Sequence, residues 1–359
     1  MDGTVLYPYL IAPKEVPAIW GGDALVFRYG KRADPHAQTG ESWECWDENK
    51  VENGALQGMT IAQLRARLGS ALLGDLDPTH IFPVLTKIID ARASLSVQVH
   101  PDDAYAQRVE HQENGKTECW YILEAQPRAE LILGWTRDTS REEYLHRVAD
   151  GSLGDILRRV PVQPGDAFYL PAGTLHAIGA GIILFETQQA SDLTYRIFDW
   201  NRVDSSGKPR ALHVDKAADV LDWKRCAAGA VYQMNYHFEG LSRTALIADP
   251  RFVVERIAIQ PQLESISTGG RPVILMNLDN TAQLECNGTA CELAPYQTAV
   301  IPAQAERAAI CGNGAVLSVQ AAGPQALEQR LRSSRVSEPD IARFFDQFSA
   351  APHMETSRT

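Results

Sequence analysis

Gln98 and His100 stand two residues apart in ASLSVQVH, a stretch with the period-2 pattern of a strand, so both side chains leave one face of a sheet. Glu118, in GKTECWYILEA, and His176, after the turn LPAGTLH, add a carboxylate and a second imidazole. Together the four residues can close a nitrogen and oxygen cage around a divalent ion. A set of two histidines, one carboxylate and one amide has no thiolate, which suits a catalytic metal with a replaceable water better than a closed structural site. A single histidine beside an apolar strand is more often a core or surface residue. The combination carries the reading, because PGDxxxxPxGxxH, from Pro164 to His176, is a long and spaced pattern.

The elements that must hold these residues are mostly strands. ASLSVQVH, ECWYILEA, AELILGW, DAFYLPAG and GIILFETQ are short, β-branched or aromatic and punctuated by Gly and Pro, and another set of short strands fills residues 229–321. Thr60 caps a helix over IAQLRARLGSALLG, with Ile61, Leu64, Leu68 and Leu72 at helical spacing, and a second helical region is expected from Ser140 to Val160. From Pro324 the tail carries two helix-like segments, ALEQRLR and PDIARFFDQF, before an end expected to be disordered.

The chain also matches itself. GKTECWYILEAQPRAEL (115–131) lies over GGRPVILMNLDNTAQL (269–284) with Glu118 opposite Arg271, and PGDAFYLPA (164–172) over PYQTAVIPA (295–303), which sets His176 opposite Arg307. Two related barrels are expected, with basic side chains in the second where the first has metal ligands. Only the first can then be the metal site.

With 359 residues, 45% of them hydrophobic, the chain can bury a large core. A net charge of −11 argues against nucleic acid or an anionic membrane as partner. The absence of a leader-like start or an apolar run of membrane-spanning length leads to an expected cytoplasmic location, with six scattered, reduced cysteines.

Pro164-Gly165-Asp166, Pro171, Gly173 and His176 resemble the second cupin motif, and Gln98-Val99-His100 with Glu118 a variant of the first. More closely, FPVLTKIIDARASLSVQVHPDDAYA (82–106), GKTECWYILEA (115–125), PAGTLHAIGAGIILFETQQASDLTYRIFDWNR (171–202) and LHVDKAADVLDW (212–223) are similar to the type I mannose-6-phosphate isomerases in their short bacterial form. The resemblance implies a mainly β fold of two cupin-type jelly-roll β-barrels with a few helices and a C-terminal helical extension. The expected division is a catalytic barrel over 1–225 with short helical insertions at 60–74 and 139–160, a degenerate barrel over 226–323, and a helical tail over 324–359. The large helical domain of longer members is absent or cut down to 139–160, and the tail has no counterpart in the short form.

The same resemblance implies one Zn²⁺ per chain on Gln98, His100, Glu118 and His176, and a pocket holding Lys87, Ser96, Lys116, Asp192 and Arg196. Lys87 and Ser96 suit the phosphate dianion, which needs a cation and a hydroxyl donor. Interconversion of mannose 6-phosphate and fructose 6-phosphate moves a proton between C2 and C1 through a cis-enediolate, so it needs an acid/base and a cation near the developing oxyanion. Arg196 fits the second need, with zinc; Asp192 and Lys116 are both candidates for the first. Tyr7, Trp46, His111 and His213 are expected in core or surface rather than pocket, and Trp120 or Tyr121 under the metal. The expected partner is a small sugar phosphate, with the protein a monomer or homodimer. Two other readings are a non-catalytic sugar-binding cupin and a metal-dependent cupin dioxygenase. The dioxygenase wants a three-histidine or facial-triad site in an apolar cleft, which Gln98 and three cations disfavour.

Overall fold

The computed structural model describes residues 6–34, 38–203, 206–321 and 323–349. The expected disordered end after residue 349 lies outside the described residues. The chain forms two β-sandwiches of the cupin type packed on one another.

In the first, a six-stranded sheet runs in the order Ala167–Leu170, Glu118–Ala125, Ile182–Gln189, Val84–Ala91, Lys14–Gly22, Thr39–Cys45. It faces a five-stranded sheet in the order Tyr195–Phe198, Val97–Val99, His176–Ile178, Glu130–Trp135, Leu157–Pro161. Trp20, Ile89, Trp120, Ile122, Leu131, Phe168, Ile178 and Leu184 fill the space between them. Val84–Ala91 and Ile182–Gln189 are buried at every residue, because they are central strands covered on both faces. That is why they read as unbroken runs rather than alternations.

The second sandwich repeats the order. Its larger sheet runs Met234–Phe238, Leu241–Ala248, Val253–Ile259, Gly314–Gln320, Val273–Asn277, Thr298–Ile301, Tyr9–Ala12, Lys50–Val51, and its smaller one Glu264–Ser267, Arg307–Cys311, Ala282–Cys286, Thr289–Leu293. Val273–Asn277 lies between Thr298–Ile301 and Gly314–Gln320 as Glu118–Ala125 lies between Ala167–Leu170 and Ile182–Gln189, so the internal repeat is one of topology. Two N-terminal strands complete the larger sheet, and strand pairing therefore crosses residue 225.

The repeat register needs a correction. Val273, not Arg271, pairs with Ile301 as Glu118 pairs with Leu170. Thirteen residues separate Glu118 from Leu131 but eleven separate Val273 from Leu284, so an alignment without gaps slips by two at the first strand. Arg307 points to solvent and pairs with Glu239, while Ala308 and Ile310 point inward. Where the first sandwich has Glu118 and His176, the second has apolar side chains, and its interior is closed by Ile266, Val273, Leu284 and Ala308.

Helices cover the flanks. Thr60 and Gln63 form a reciprocal capping box on Ile61–Leu68, and Gly69, at φ 50°, separates it from Ser70–Leu73. The region expected to be helical to Val160 stops at Asp150. Gly151, at φ 79°, takes the left-handed cap, and Leu157–Pro161 then joins the five-stranded sheet as an edge strand. The helices Gln325–Ser333 and Glu338–Ser349 seal the seam between sandwiches with Leu327, Leu331, Ile341 and Phe344.

Candidate metal centre and pocket

Strand register brings the site together. Across the five-stranded sheet Arg196, Gln98, His176 and Leu133 form one row. Facing it, Phe168, Trp120, Glu186, Lys87 and Trp43 form a row across the six-stranded sheet. Side chains within a row lean the same way, so a polar wall and a charged wall meet inside the sandwich.

At one end of this space lie His100, Glu118 and His176, all buried, with a ligand atom of each within 4.8 Å of the others. His176 Nε2 is 3.2 Å from Glu118 Oε1, and His100 Nε2 is 3.4 Å from Oε2. His100 Nδ1 donates to the Leu193 carbonyl at 2.7 Å and His176 Nδ1 to that of Thr174 at 2.9 Å, which leaves both Nε2 lone pairs aimed at the carboxylate. Burial pushes the His100 pKa down to about 3 and lowers that of His176, so both rings are neutral. Burial acts to raise Glu118, but the carboxyl is held well below its usual range, with the Lys116 ammonium beside it the foremost cause. His100 Nε2 and both Glu118 oxygens accept or donate no hydrogen bond although fully buried. Neutral imidazoles and an ionised carboxylate whose oxygens make no hydrogen bond, converging in a buried site, fit a divalent cation. Gln98 stands beside them with Nε2 3.2 Å from His176 Nε2, while its Oε1 accepts from Ser96 Oγ at 3.2 Å. A half-turn of the amide would present the oxygen instead.

Next to the cage, carboxylates and ammonium groups alternate. Lys116 Nζ is 3.0 Å from Glu118 and 3.9 Å from Glu186; Lys87 Nζ is 3.6 Å from Glu186 and 3.2 Å from Glu41. Trp120 Nε1 donates to Glu186 Oε2 at 2.8 Å, and its ring meets His176 edge-on, which makes Trp120 rather than Tyr121 the aromatic under the cage. Glu186 Oε1 has no hydrogen-bond donor. Burial, and then Glu118, raise the Glu186 pKa.

A cavity of about 280 Å³ opens onto these groups, lined by Glu41, Lys87, Ser96, Gln98, Lys116, Glu186, Asp192 and Arg196 among others. All five expected pocket residues therefore line one space. Lys87, expected where phosphate enters, lies on the floor between two carboxylates and is buried. Asp192 is exposed at the mouth, and among the described residues no ion pair joins it to Arg196. The Arg196 guanidinium bonds to Ser96 Oγ at 3.3 Å and the Ala211 carbonyl at 3.0 Å. Arg210, fixed by Asp199, also lines the cavity, and so does His213, expected in core or surface but brought to the pocket beside Arg196, whose backbone N–H donates to its Nδ1 at 3.2 Å. Tyr7 lies in the core between the sandwiches, and Trp46 and His111 do not line the cavity. Glu41, Glu186 and Arg210 escaped the sequence reading. Glu186 had a signal: a carboxylate within IILFETQQ, a run that must be buried on both faces, requires a cationic partner. A larger cavity of about 850 Å³ lies among Trp135, Tyr169, Leu175 and residues 226–231, and none of the four candidate ligands lines it.

The sequence model of the phosphomannose isomerase type I catalytic domain matches residues 13–131. The mannose-6-phosphate isomerase of Streptococcus mutans is 40% identical over 265 residues, covering 72% of this chain and 81% of that one. This chain belongs to the mannose-6-phosphate isomerase family. The crystal structure of the mannose 6-phosphate isomerase from Bacillus subtilis superimposes with a TM-score of 0.80 at 32% identity, over 87% of this chain and 99% of that one. A zinc-bound crystal structure of a mannose 6-phosphate isomerase, 15% identical, shares the fold with a TM-score of 0.70 over 88% of this chain and 99% of that one. Within the family frame, the first sandwich carries the charged interior and the second an apolar one.

Proposed function

We propose that this chain, as a member of that family, interconverts mannose 6-phosphate and fructose 6-phosphate, with one Zn²⁺ held by His100, Glu118 and His176 and by Gln98 through its amide oxygen. The observation that carries the reading is the convergence of buried ligand atoms on His100, Glu118 and His176, those of His100 and Glu118 without a hydrogen bond, beside a pocket of alternating lysines and glutamates. When bound, the ion supplies positive charge beside the developing enediolate oxygen.

The remaining work falls to the side chains. Arg196, which has no carboxylate partner among the described residues, and Ser96 bind the phosphate at the mouth, with Arg210 adding positive field. Lys87 neutralises Glu41 and Glu186, so its charge is already spent inside the floor. Between C2 and C1 the proton carrier is Glu186 or Lys116: both are buried on the floor, whereas Asp192 sits in solvent and is placed to orient a sugar hydroxyl. Glu186 is the better base, because one of its oxygens is free of any donor.

No helix of the described residues is long and apolar enough to cross a membrane. A cytoplasmic location is part of the proposal. The test is a coupled assay for fructose 6-phosphate formation on metal-stripped protein, on protein reloaded with zinc, and on His176→Ala. Turnover that returns with zinc in the wild type and never in the variant supports the reading. Stoichiometric zinc without turnover of mannose 6-phosphate sinks it.

A further inference from the structure

The loop between His100 and Glu118 carries Lys116, and three consecutive backbone N–H groups at its end are pinned. Gly115 N–H donates to Asp103 Oδ1 at 2.8 Å, Lys116 N–H to the Pro101 carbonyl at 2.9 Å, and Thr117 N–H to Gln189 Oε1 at 2.8 Å. Gln189 Nε2 donates in turn to Asp103 Oδ1 at 2.8 Å, so one carboxylate oxygen gathers two of the three restraints. The loop passes too close for any side chain at Gly115, where a Cβ would lie 2.5 Å from the Pro101 oxygen.

The other oxygen of Asp103 faces the second sandwich. Arg251, in the turn between Leu241–Ala248 and Val253–Ile259, brings Nη2 to 3.2 Å from Asp103 Oδ2. The same turn holds Arg251 in place: Asp249, fully buried, accepts from the Arg251 backbone N–H at 2.8 Å and lies 3.4 Å from Nη1. Asp249 also accepts from Tyr169 Oη at 2.7 Å, and Tyr169 pairs with Cys119, the residue after Glu118. Two neighbouring side chains of the metal-free sandwich thus grip both edges of the segment that presents Lys116 and Glu118.

We propose that Arg251 is a positioning residue: through Asp103 it fixes the backbone at 115–117 and so the reach of Lys116 into the pocket. The second sandwich, whose own interior is closed, acts on the reaction through this turn. The inference rests on the isomerase reading above for its kinetic test and on nothing but this geometry for its structural one.

The experiment compares Arg251→Met and Arg251→Lys with the wild type, each alone and combined with Lys116→Ala. Arg251→Met lowers kcat about tenfold, the scale of lost outer-shell support, with KM nearly unchanged, and Arg251→Lys restores most of it because the contact to Asp103 is a single one. In the Lys116→Ala background Arg251→Met has little further effect, since the group being positioned is gone. Amide hydrogen exchange at 115–117 is faster in Arg251→Met while exchange in the central strands of both sandwiches is unchanged. Equal losses in the presence and absence of Lys116, or unaltered exchange at 115–117, overturn the proposal. If the wild type does not turn over mannose 6-phosphate the isomerase reading fails, and the exchange measurement still decides the role of Arg251.

Discussion

Gln98 and His176 are directly opposed on neighbouring antiparallel strands, and their Nε2 atoms lie 3.2 Å apart. A neutral histidine whose Nδ1–H is given to the Thr174 carbonyl offers a lone pair at Nε2, so the Gln98 amide donates into the position a metal would take. Metal binding therefore requires the amide to turn. We predict that Gln98→Leu, close in size but without the oxygen, weakens zinc by about 10- to 100-fold, a loss comparable to that of other supporting groups around metals. Chelator competition reads this directly. Unchanged affinity in Gln98→Leu would remove Gln98 from the ligand set and leave a three-residue site.

Zinc binds the folded site and not the dispersed residues of the unfolded chain, so it stabilises by mass action. At a free zinc concentration a hundred times Kd the gain is about 2.7 kcal/mol, and Tm rises by several degrees. Calorimetry of stripped and reloaded protein measures it. His176→Ala and Glu118→Ala abolish the increment; a rise that survives in both variants places the bound ion elsewhere.

The pKa of Glu186 is raised, by burial first and by Glu118 next. A base must be ionised to accept a proton, so activity falls as pH drops through this raised pKa. We predict an acid limb of kcat displaced upward in that sense, and a loss of about 10² to 10⁴ in kcat for Glu186→Gln, the usual worth of a positioned acid/base. Asp192→Asn costs less and leaves the limb in place. An acid limb unchanged in the residual activity of Glu186→Gln assigns the proton transfer to another group.

The parts of this site that follow local rules were legible in the sequence. Gln98 and His100 share a face because strands alternate, and His176 follows a turn marked by Pro171 and Gly173. Lys116 and Arg196 reached the pocket with them. What escaped depends on pairing between distant strands. Glu186 faces Lys87 because Ile182–Gln189 lies beside Val84–Ala91 in one register out of many, and no local pattern reports it. Lys87 was recognised as a pocket residue but not as one compensated by two carboxylates, for the same reason. The repeat was visible, but a hairpin shorter by two residues moved Arg271 away from the position of Glu118, and one more residue after Ile301 put Ala308, not Arg307, at the position of His176. The Arg251 and Asp103 contact, between residues far apart in sequence on different sandwiches, had no sequence signature.

Lys31 and Glu44 offer a test of how the N-terminal segment holds the two sandwiches together. Lys31 Nζ lies 2.7 Å from Glu44 Oε1, with side chains 5% and 0% exposed. Lys31 also donates to the Tyr296 carbonyl at 2.7 Å, and Glu44 accepts from Ser42 Oγ at 2.6 Å and Thr298 Oγ1 at 3.2 Å. Tyr296 and Thr298 belong to the second sandwich, so the pair bridges the seam. Removing one member strands a buried charge, and Lys31→Met is predicted to destabilise by about 3–5 kcal/mol. Lys31→Met combined with Glu44→Gln should recover much of that loss, because the carboxylate left without its cation is gone, while the amide oxygen accepts from one of the Ser42 and Thr298 hydroxyls and the amide NH2 donates to the other. Denaturant unfolding of the two variants checks both values. A double variant no more stable than Lys31→Met would show that the lost contacts of the lysine, and not the stranded carboxylate, set the cost.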